Sequence, residues 1–213
     1  MAETAPKIYH ITHIDNLPGI IEKGLWSDAE RIRQGLNCSS VGMCKLKERR
    51  LTELEVRCHA GTKVGSYVPF YFCPRSIMLF LLARGNHPDL TYGGGQRRIV
   101  HLVADSSKAA QWAAAAGHRW AFTNGNASAR YTRFSNEFAK IRELDWQAIQ
   151  QTDWRDPLIK EAKQAEFLVE RHFPWTLVEQ IGVIDGTMET ETRHILQSAT
   201  HQPNVNVVRE WYY

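Results

Sequence analysis

His10 and Thr12 stand two residues apart in the segment Tyr9-His10-Ile11-Thr12, which is rich in β-branched and aromatic residues. This composition predicts a strand, on which residues two apart face the same side. A paired imidazole and hydroxyl can hold ribose hydroxyls, and the backbone of Ile11 can pair with a carboxamide. For an isolated H-x-T pair, however, two polar groups satisfied inside a core sheet are the commoner structural outcome.

Glu166 stands where a loop enters the apolar segment Ala165–Val169, which we predict to be a strand. A carboxylate at such a position is costly unless it serves a site or finds partners. It can hydrogen-bond a ribose hydroxyl and stabilise the positive charge that develops as a leaving group departs. From this segment alone, a solvent-facing glutamate on an edge strand is equally compatible.

An aromatic strand is predicted over Tyr67–Phe72, and Pro74-Arg75-Ser76 follows it. Aromatic residues at alternating positions with flanking prolines suit a buried strand that feeds a rigid turn, so most of this segment is core. Tyr71 and Arg75 are the two members that we expect near a ligand.

The remaining segments alternate irregularly between strands and short helices. Further strands are predicted over Lys7–Ile14, Arg98–Ala104, Gln180–Ile184 and Val205–Trp211. Helices are predicted from Asp15 to Gly24, from Pro74 to Gly85, from Ser106 to Gly117, over Ser135–Leu144 and over Thr187–Ala199. This order predicts one α+β domain over residues 1–213 with a mainly antiparallel sheet.

Composition narrows the function only weakly. The net charge is +3, and the 43% hydrophobic content supports a folded core. Basic residues concentrate in two stretches that glutamates dilute, so charge alone gives weak support for nucleic acid as a partner. The stretches contain Lys45, Lys47, Arg49, Arg50 and Arg57, then Arg119, Arg130, Arg133, Lys140 and Arg142.

Several functional classes are disfavoured by missing patterns. The sequence contains neither a G-x-G-x-x-G nor a Walker P-loop motif. No C-x-x-C pair exists among the four cysteines, which are Cys38, Cys44, Cys58 and Cys73. We therefore predict that the thiols are reduced and that they form no metal site, either alone or together with His59. No apolar run is long enough to span a membrane and no secretory signal is recognisable, so we expect a cytoplasmic protein.

The H-x-T strand, the V-P-F-Y-F-x-P-R-S segment and the K-Q-A-E-F-L-V strand, in this order, resemble the DarT family of toxins. The resemblance spans nearly the whole chain. It implies an ADP-ribosyltransferase (PARP-like) fold with a central split antiparallel sheet flanked by helices. It also implies sequence-specific transfer of ADP-ribose from NAD⁺ to N3 of thymidine in single-stranded DNA, which blocks replication. A partner antitoxin carrying a macrodomain would reverse the modification.

The resemblance also assigns roles to individual residues. His10, Ile11 and Thr12 match the NAD⁺-binding strand, Glu166 matches the catalytic glutamate, and Arg57 matches an arginine beside the target base. Because an arginine is a poor base, we expect Arg57 to stabilise negative charge on the thymine. Further expected NAD⁺ contacts are Gly19, Leu25, Lys45 and Tyr71, and expected DNA contacts are Arg75, Arg130, Arg133, Trp154 and Arg155.

Two segments acquire functions from the same resemblance. Residues from Gly35 to Glu53 correspond to an element that closes over NAD⁺, and residues from Arg119 to Glu166 to the loop that presents the acceptor. Asn126 stands in that loop where a histidine is expected, so no histidine role is carried over. The aromatic residues Tyr131, Phe134 and Trp146 are additional candidates for base stacking there.

Three alternatives remain open at the level of sequence. The fold can serve a different acceptor, such as guanine in DNA, an RNA phosphate or a protein side chain. A non-catalytic single-strand-binding module would use the basic and aromatic stretches but leave His10, Thr12 and Glu166 without a role. An NAD⁺ glycohydrolase would use water as the acceptor. We expect a monomer.

Overall fold

The computed structural model describes residues 5–213, which form ten strands and eight α-helices. The strands are β1 (Lys7–His13), β2 (Leu25–Trp26), β3 (Tyr67–Tyr71), β4 (Ile99–Asp105), β5 (Trp120–Thr123), β6 (Phe134–Ser135), β7 (Glu166–Glu170), β8 (His172–Phe173), β9 (Gln180–Val183) and β10 (Asn204–Val207). The helices are α1 (Leu17–Lys23), α2 (Asp28–Arg33), α3 (Cys44–Thr52), α4 (Ile77–Arg84), α5 (Ser106–Ala115), α6 (Trp146–Gln150), α7 (Pro157–Ala162) and α8 (Gly186–Leu196).

Eight strands form one sheet in the order β10-β9-β4-β1-β3-β7-β5-β6, and β2 and β8 form a separate pair. Neighbouring strands of the large sheet are antiparallel except β9 and β10, which are parallel. β1 pairs with β4 along all seven of its residues but with β3 only at Tyr9↔Tyr71. The sheet therefore consists of two halves that separate beyond this one pair.

Local sequence signals set the ends of α1 and α4. Pro18 stands in the first turn of α1, where its missing N–H has no cost, and the helix ends at Gly24 with φ of 74°. The Ser76 hydroxyl accepts a hydrogen bond from the Leu79 amide and caps α4, which ends at left-handed Gly85.

Apolar side chains cover both faces of the sheet. One cluster contains Ile8, Val100, Leu102 and Phe167 together with residues of α5, α6 and α8. On the other face Ile11 and Ile99 pack with Leu79 and Leu82 of α4. Alternate residues of β1 and β4 thus point to opposite cores, as the period of two requires.

The predicted α+β class with a mainly antiparallel sheet is confirmed. Two predicted elements differ: Ser135–Leu144 contains β6 and a 3-10 helix, Phe138–Glu143, and the last strand ends at Val207. Four further strands (β2, β5, β6 and β8) and four helices (α2, α3, α6 and α7) were not predicted. α2 and α3 have no buried residue, so they lack the apolar periodicity on which the prediction relied.

No helix within residues 5–213 has the length and apolar character needed to cross a membrane.

Candidate active site

His10 lies at the junction between the two halves of the sheet. Its Nδ1–H donates a hydrogen bond of 2.8 Å to the carbonyl oxygen of Pro69 on β3, which fixes the ring and leaves Nε2 available. Burial lowers the pKa of His10, and the Pro69 hydrogen bond opposes this only in part. The structure thus presents a neutral, oriented imidazole where the strands part.

A cavity of about 510 Å³ opens at this junction. Six of the seven residues expected to contact NAD⁺ line it: His10, Ile11, Thr12, Gly19, Leu25 and Tyr71. Lys45 does not line it, because its exposed side chain extends to Asp89, with Nζ 3.0 Å from the carboxylate. The resemblance thus assigns Lys45 to the element that covers the cavity, although Lys45 is not among the residues that line it.

A loop ties down one wall of this cavity. The Asn16 amide donates hydrogen bonds of 3.0 Å to the Thr12 hydroxyl and to the Ser39 carbonyl, and accepts one of 2.8 Å from the Ser39 amide. Residues 35–43 of the predicted closing element line the cavity opposite β1. Asn16 consequently links the strand that carries His10 to the loop that covers it.

Two cations share one carboxylate on the cavity wall. The Asp28 carboxylate lies 3.3 Å from Lys47 Nζ and 3.6 Å from an Arg31 guanidinium nitrogen, and all three residues line the cavity. A wall with more positive than negative groups suits an anionic ligand. In the sequence Lys47 stands out only as a member of a basic stretch, and no pattern distinguishes Arg31.

Glu166 forms a buried two-pronged ion pair with Arg50. Its carboxylate oxygens accept hydrogen bonds of 3.1 and 2.8 Å from the two terminal guanidinium nitrogens, and one oxygen also accepts the Ala127 amide at 3.2 Å. Glu166 is only 4% exposed. Burial lowers the pKa of Arg50, but the Glu166 charge raises it to a value above the ordinary one. The ion pair is therefore held in a poorly solvated place.

Strand register places this ion pair beside the cavity. Glu166 begins β7 directly opposite Tyr71 of β3, and Tyr71 and Arg50 both line the cavity wall. Burial, and then the Glu166 charge, raise the pKa of the Tyr71 hydroxyl, which stays protonated. Arg50 is a functional candidate that sequence reasoning missed, because nothing in its basic stretch distinguishes it from its neighbours.

Arg57 has a different environment from Arg50. Its guanidinium donates to the backbone carbonyls of Thr132 and Arg130, at 3.0 and 2.6 Å, and so holds the loop between β5 and β6. It also lines a second cavity of about 250 Å³ with Arg49, Ala127 and Phe134. Because Ala127 donates to Glu166, this second cavity adjoins the ion pair from the side of the acceptor loop.

The residues expected to contact DNA fall into two groups. Arg130 and Arg133 are exposed on the loop held by Arg57. Arg75 and Trp154 form the second group, in which Arg75 lies over the Tyr213 ring and Trp154 contacts Phe80. Arg155 is directed to Asp153, with a nitrogen to oxygen distance of 2.5 Å, on an exposed turn.

Asn126 supports the acceptor loop rather than carrying a titratable group. Its amide accepts and donates within the loop: Ser128 N donates to Oδ1, and Nδ2 donates to Gln164. In the part of the chain that the structure describes, no three His, Cys, Asp or Glu side chains are grouped so as to hold a metal ion, and the four cysteines are free. The cavity wall and the ion pair beside it carry charged, hydroxyl and imidazole groups.

A protein-family model described as ssDNA thymidine ADP-ribosyltransferase, DarT, matches residues 9–213. A DNA ADP-ribosyl transferase of Thermus aquaticus is 39% identical over 212 residues, which cover 97% of this chain and 88% of that protein. A Thermosipho africanus DNA ADP-ribosyl transferase–DNA ADP-ribosyl glycohydrolase fusion protein is 39% identical over 87 residues, 38% of this chain and 21% of the fusion.

Two solved structures of the Thermus sp. 2.9 DarT are similar over the full length of both chains. The complex with ADP-ribosylated ssDNA has a TM-score of 0.87 at 38% identity and covers 100% of each chain. The complex with NAD⁺ has a TM-score of 0.77 at 34% identity, again with 100% of each chain covered.

Proposed function

We propose, from the premise that the chain belongs to the DarT family of single-stranded-DNA thymidine ADP-ribosyltransferases, that the buried Glu166–Arg50 pair is its catalytic centre. The family and the ADP-ribosyltransferase fold expected from the sequence are confirmed. The enzyme uses NAD⁺ as co-substrate and thymidine in single-stranded DNA as acceptor. What remains to be assigned is the role of each residue.

NAD⁺ would occupy the cavity at the sheet junction. His10 and Thr12 face it from β1, and their imidazole and hydroxyl suit the ribose hydroxyls. Lys47 and Arg31 suit the diphosphate, because they supply two positive charges against the one negative charge of Asp28. Leu25 and Tyr71 provide apolar wall for the nicotinamide-ribose end.

Glu166 would act on the ribose from which nicotinamide departs. The bond between ribose C1′ and the nicotinamide nitrogen breaks with its electron pair going to nicotinamide, which leaves positive charge on the ribose. A preorganised carboxylate stabilises that charge and can accept a hydrogen bond from the 2′-hydroxyl. Arg50 holds the carboxylate at two points, so its orientation is set before substrate binds.

The thymine base would approach from the second cavity. Its N3 carries a proton that must leave as the new bond to C1′ forms, so NAD⁺ and thymidine yield ADP-ribosyl-thymidine, nicotinamide and one proton. A guanidinium stabilises the negative charge that develops on the base, and Arg50 is the one beside Glu166. Arg57 would order the acceptor loop and line the base cavity, while Arg130 and Arg133 contact nearby phosphates.

Partners and setting follow by inference. Reversal by a macrodomain glycohydrolase is supported by the Thermosipho africanus relative, whose name joins both activities in one polypeptide. We propose that residues 1–213 act as one domain and as a monomer in the cytoplasm, where single-stranded DNA is met during replication.

The observation that carries the assignment is the buried, two-pronged Arg50–Glu166 pair opposite Tyr71. Incubation with NAD⁺ and each of four homopolymer oligonucleotides, read out by mass spectrometry, tests it. We expect ADP-ribose only on thymidine-containing DNA, and none with Glu166→Gln. Equal nicotinamide release with and without DNA would instead indicate a glycohydrolase.

A further inference from the structure

Arg171 has a backbone conformation that arginine rarely adopts. Its φ of 63° lies in the left-handed region, and it is the one non-glycine residue within 5–213 with a positive φ. At the other positive-φ positions of that range the chain has glycine. The left-handed conformation costs free energy for a residue that carries a Cβ. A glycine would avoid that cost, so the arginine side chain is the feature that requires an explanation.

The main chain of Arg171 joins the large sheet to the start of α2. Arg171 lies between β7, which begins at Glu166, and β8, which pairs with β2. Its amide donates a hydrogen bond of 2.8 Å to the Ser66 carbonyl, directly before β3, and its carbonyl accepts one of 2.9 Å from the Ser27 amide. Ser27 in turn caps α2, because its hydroxyl accepts the Glu30 amide at 3.3 Å. The left-handed residue therefore fixes the point at which α2 begins.

The side chain of Arg171 holds the same helix a second time. Its Nε donates a hydrogen bond of 3.0 Å to one carboxylate oxygen of Glu30, whose side chain is only 12% exposed. The other carboxylate oxygen accepts a hydrogen bond of 2.8 Å from Arg33, within α2 itself. Because α2 has no buried residue, apolar packing contributes little to its attachment. The bond to Arg171 is thus the Glu30 contact that connects α2 to the rest of the fold.

α2 carries two functional groups to the NAD⁺ cavity. Asp28 and Arg31 line the cavity and share an ion pair, with 3.6 Å between the carboxylate and the guanidinium nitrogen. Arg31 also donates a hydrogen bond of 3.0 Å to the Leu36 carbonyl, at the start of the loop 35–43 that covers the cavity. A displacement of α2 would therefore move a cation assigned to the diphosphate and the start of the covering loop together.

We propose that Arg171 is a positioning residue for NAD⁺, which holds α2 where Arg31 meets the diphosphate. The hold acts through the Ser27 amide and the Glu30 carboxylate, since Arg171 is not among the residues that line the cavity. This inference rests on the proposed function and extends it to a residue that does not touch the substrate. A glycine at this position would relieve the backbone but lose the bond to Glu30. A purely structural role is the alternative, and it predicts that NAD⁺ binding follows stability.

Three substitutions of Arg171 separate its side chain from its backbone. Arg171→Ala loses the ion pair and keeps the left-handed strain, whereas Arg171→Gly loses both. We expect both variants to raise KM for NAD⁺ about threefold with kcat unchanged, as the loss of one half-exposed ion pair implies. The melting temperature of Arg171→Gly should nevertheless exceed that of Arg171→Ala by about 2–4 °C, because glycine adopts this φ without strain. Arg171→Lys keeps the charge, so its KM should lie between those of the wild type and Arg171→Ala.

A matched control and a direct binding measurement complete the design. Arg33→Ala removes the other partner of the same carboxylate, within α2, and should leave KM for NAD⁺ unchanged. Calorimetric titration with ADP-ribose, which contains the diphosphate, should show Kd rising by the same factors as KM. Values of KM that follow the melting temperature across the three Arg171 variants, or that do not change in any of them, overturn the proposal. Unaltered protein that neither binds ADP-ribose nor labels DNA would overturn the proposed function, and this inference with it.

Discussion

The two sides of β1 differ in how completely they are paired, and the active site lies on the incomplete side. Toward β4 all seven residues have partners, whereas toward β3 only Tyr9 has one. His101, in the complete half, is fully buried, with Nε2 donating to the Pro74 carbonyl. His10, at the incomplete junction, donates a hydrogen bond from Nδ1 to the Pro69 carbonyl, and its Nε2 remains available. The interrupted ladder thus leaves His10 with one ring nitrogen without a protein partner at the cavity wall.

The proposed site residues are also divided between the two halves of the sheet. His10 and Thr12, expected to hold NAD⁺, belong to the β4 half, and Glu166 belongs to the β7 half. The reaction requires the two to meet, and Tyr71, paired with Tyr9 on one side and Glu166 on the other, is the link between them. Substitutions in one half at a time separate the contributions of the two halves.

The largest expected effect is at Glu166. Glu166→Gln keeps the shape but removes the charge that stabilises the developing positive ribose, so kcat should fall about 10³-fold. NAD⁺ binding, assigned to the other half, should change little, and isothermal titration would show this. The control is Glu170→Gln at the far end of β7, where the carboxylate accepts the Arg119 amide at 2.9 Å. A Glu166→Gln enzyme of full activity would sink the assignment.

The second test contrasts the two arginines. Arg50→Lys retains charge but cannot make both hydrogen bonds to Glu166, so we expect kcat to fall about 100-fold. Arg57→Lys should mainly raise KM for DNA, because the acceptor loop loses its two backbone anchors. Steady-state kinetics with each substrate varied distinguishes the two. If Arg57→Lys lowers kcat more than Arg50→Lys, the original assignment from the sequence was the better one.

The third test concerns His101, the buried histidine of the fully paired half. Burial lowers the pKa of His101 from 6.5 to about 4, so between these values the unfolded chain binds the extra proton. Neutral His101 therefore does not weaken the fold above pH 6.5. The free energy of unfolding should fall by up to about 3 kcal/mol as the pH drops from 6.5 to about 4. Denaturant titrations of the wild type and His101→Gln should show a flatter pH dependence in the variant. Identical slopes would mean that His101 does not titrate as inferred.

Sequence predicted the site unevenly, for physical reasons. His10, Thr12 and Glu166 lie on strands, where the period of two fixes the side that each residue faces. Arg50 and Arg57 lie on or just after α3, which has no buried residue and therefore no apolar pattern to orient it. Which arginine meets Glu166 depends on contacts 116 residues apart, and these follow only from the packed structure.

The smallest expected effect is at Asn16, which joins the NAD⁺-binding half to the covering loop. Asn16→Ala removes its bonds to Thr12 and Ser39, and one net hydrogen bond of about 1 kcal/mol corresponds to a KM for NAD⁺ about fivefold higher. Asn16→Asp keeps the acceptor for the Ser39 amide but loses the donors, so its KM for NAD⁺ should lie between those of the wild type and Asn16→Ala. Hydrogen exchange of residues 35–43 should rise in the same order. If KM rises without faster exchange, Asn16 acts by orienting the Thr12 hydroxyl and not by holding the loop. Hydrogen exchange is the measurement that separates these two roles.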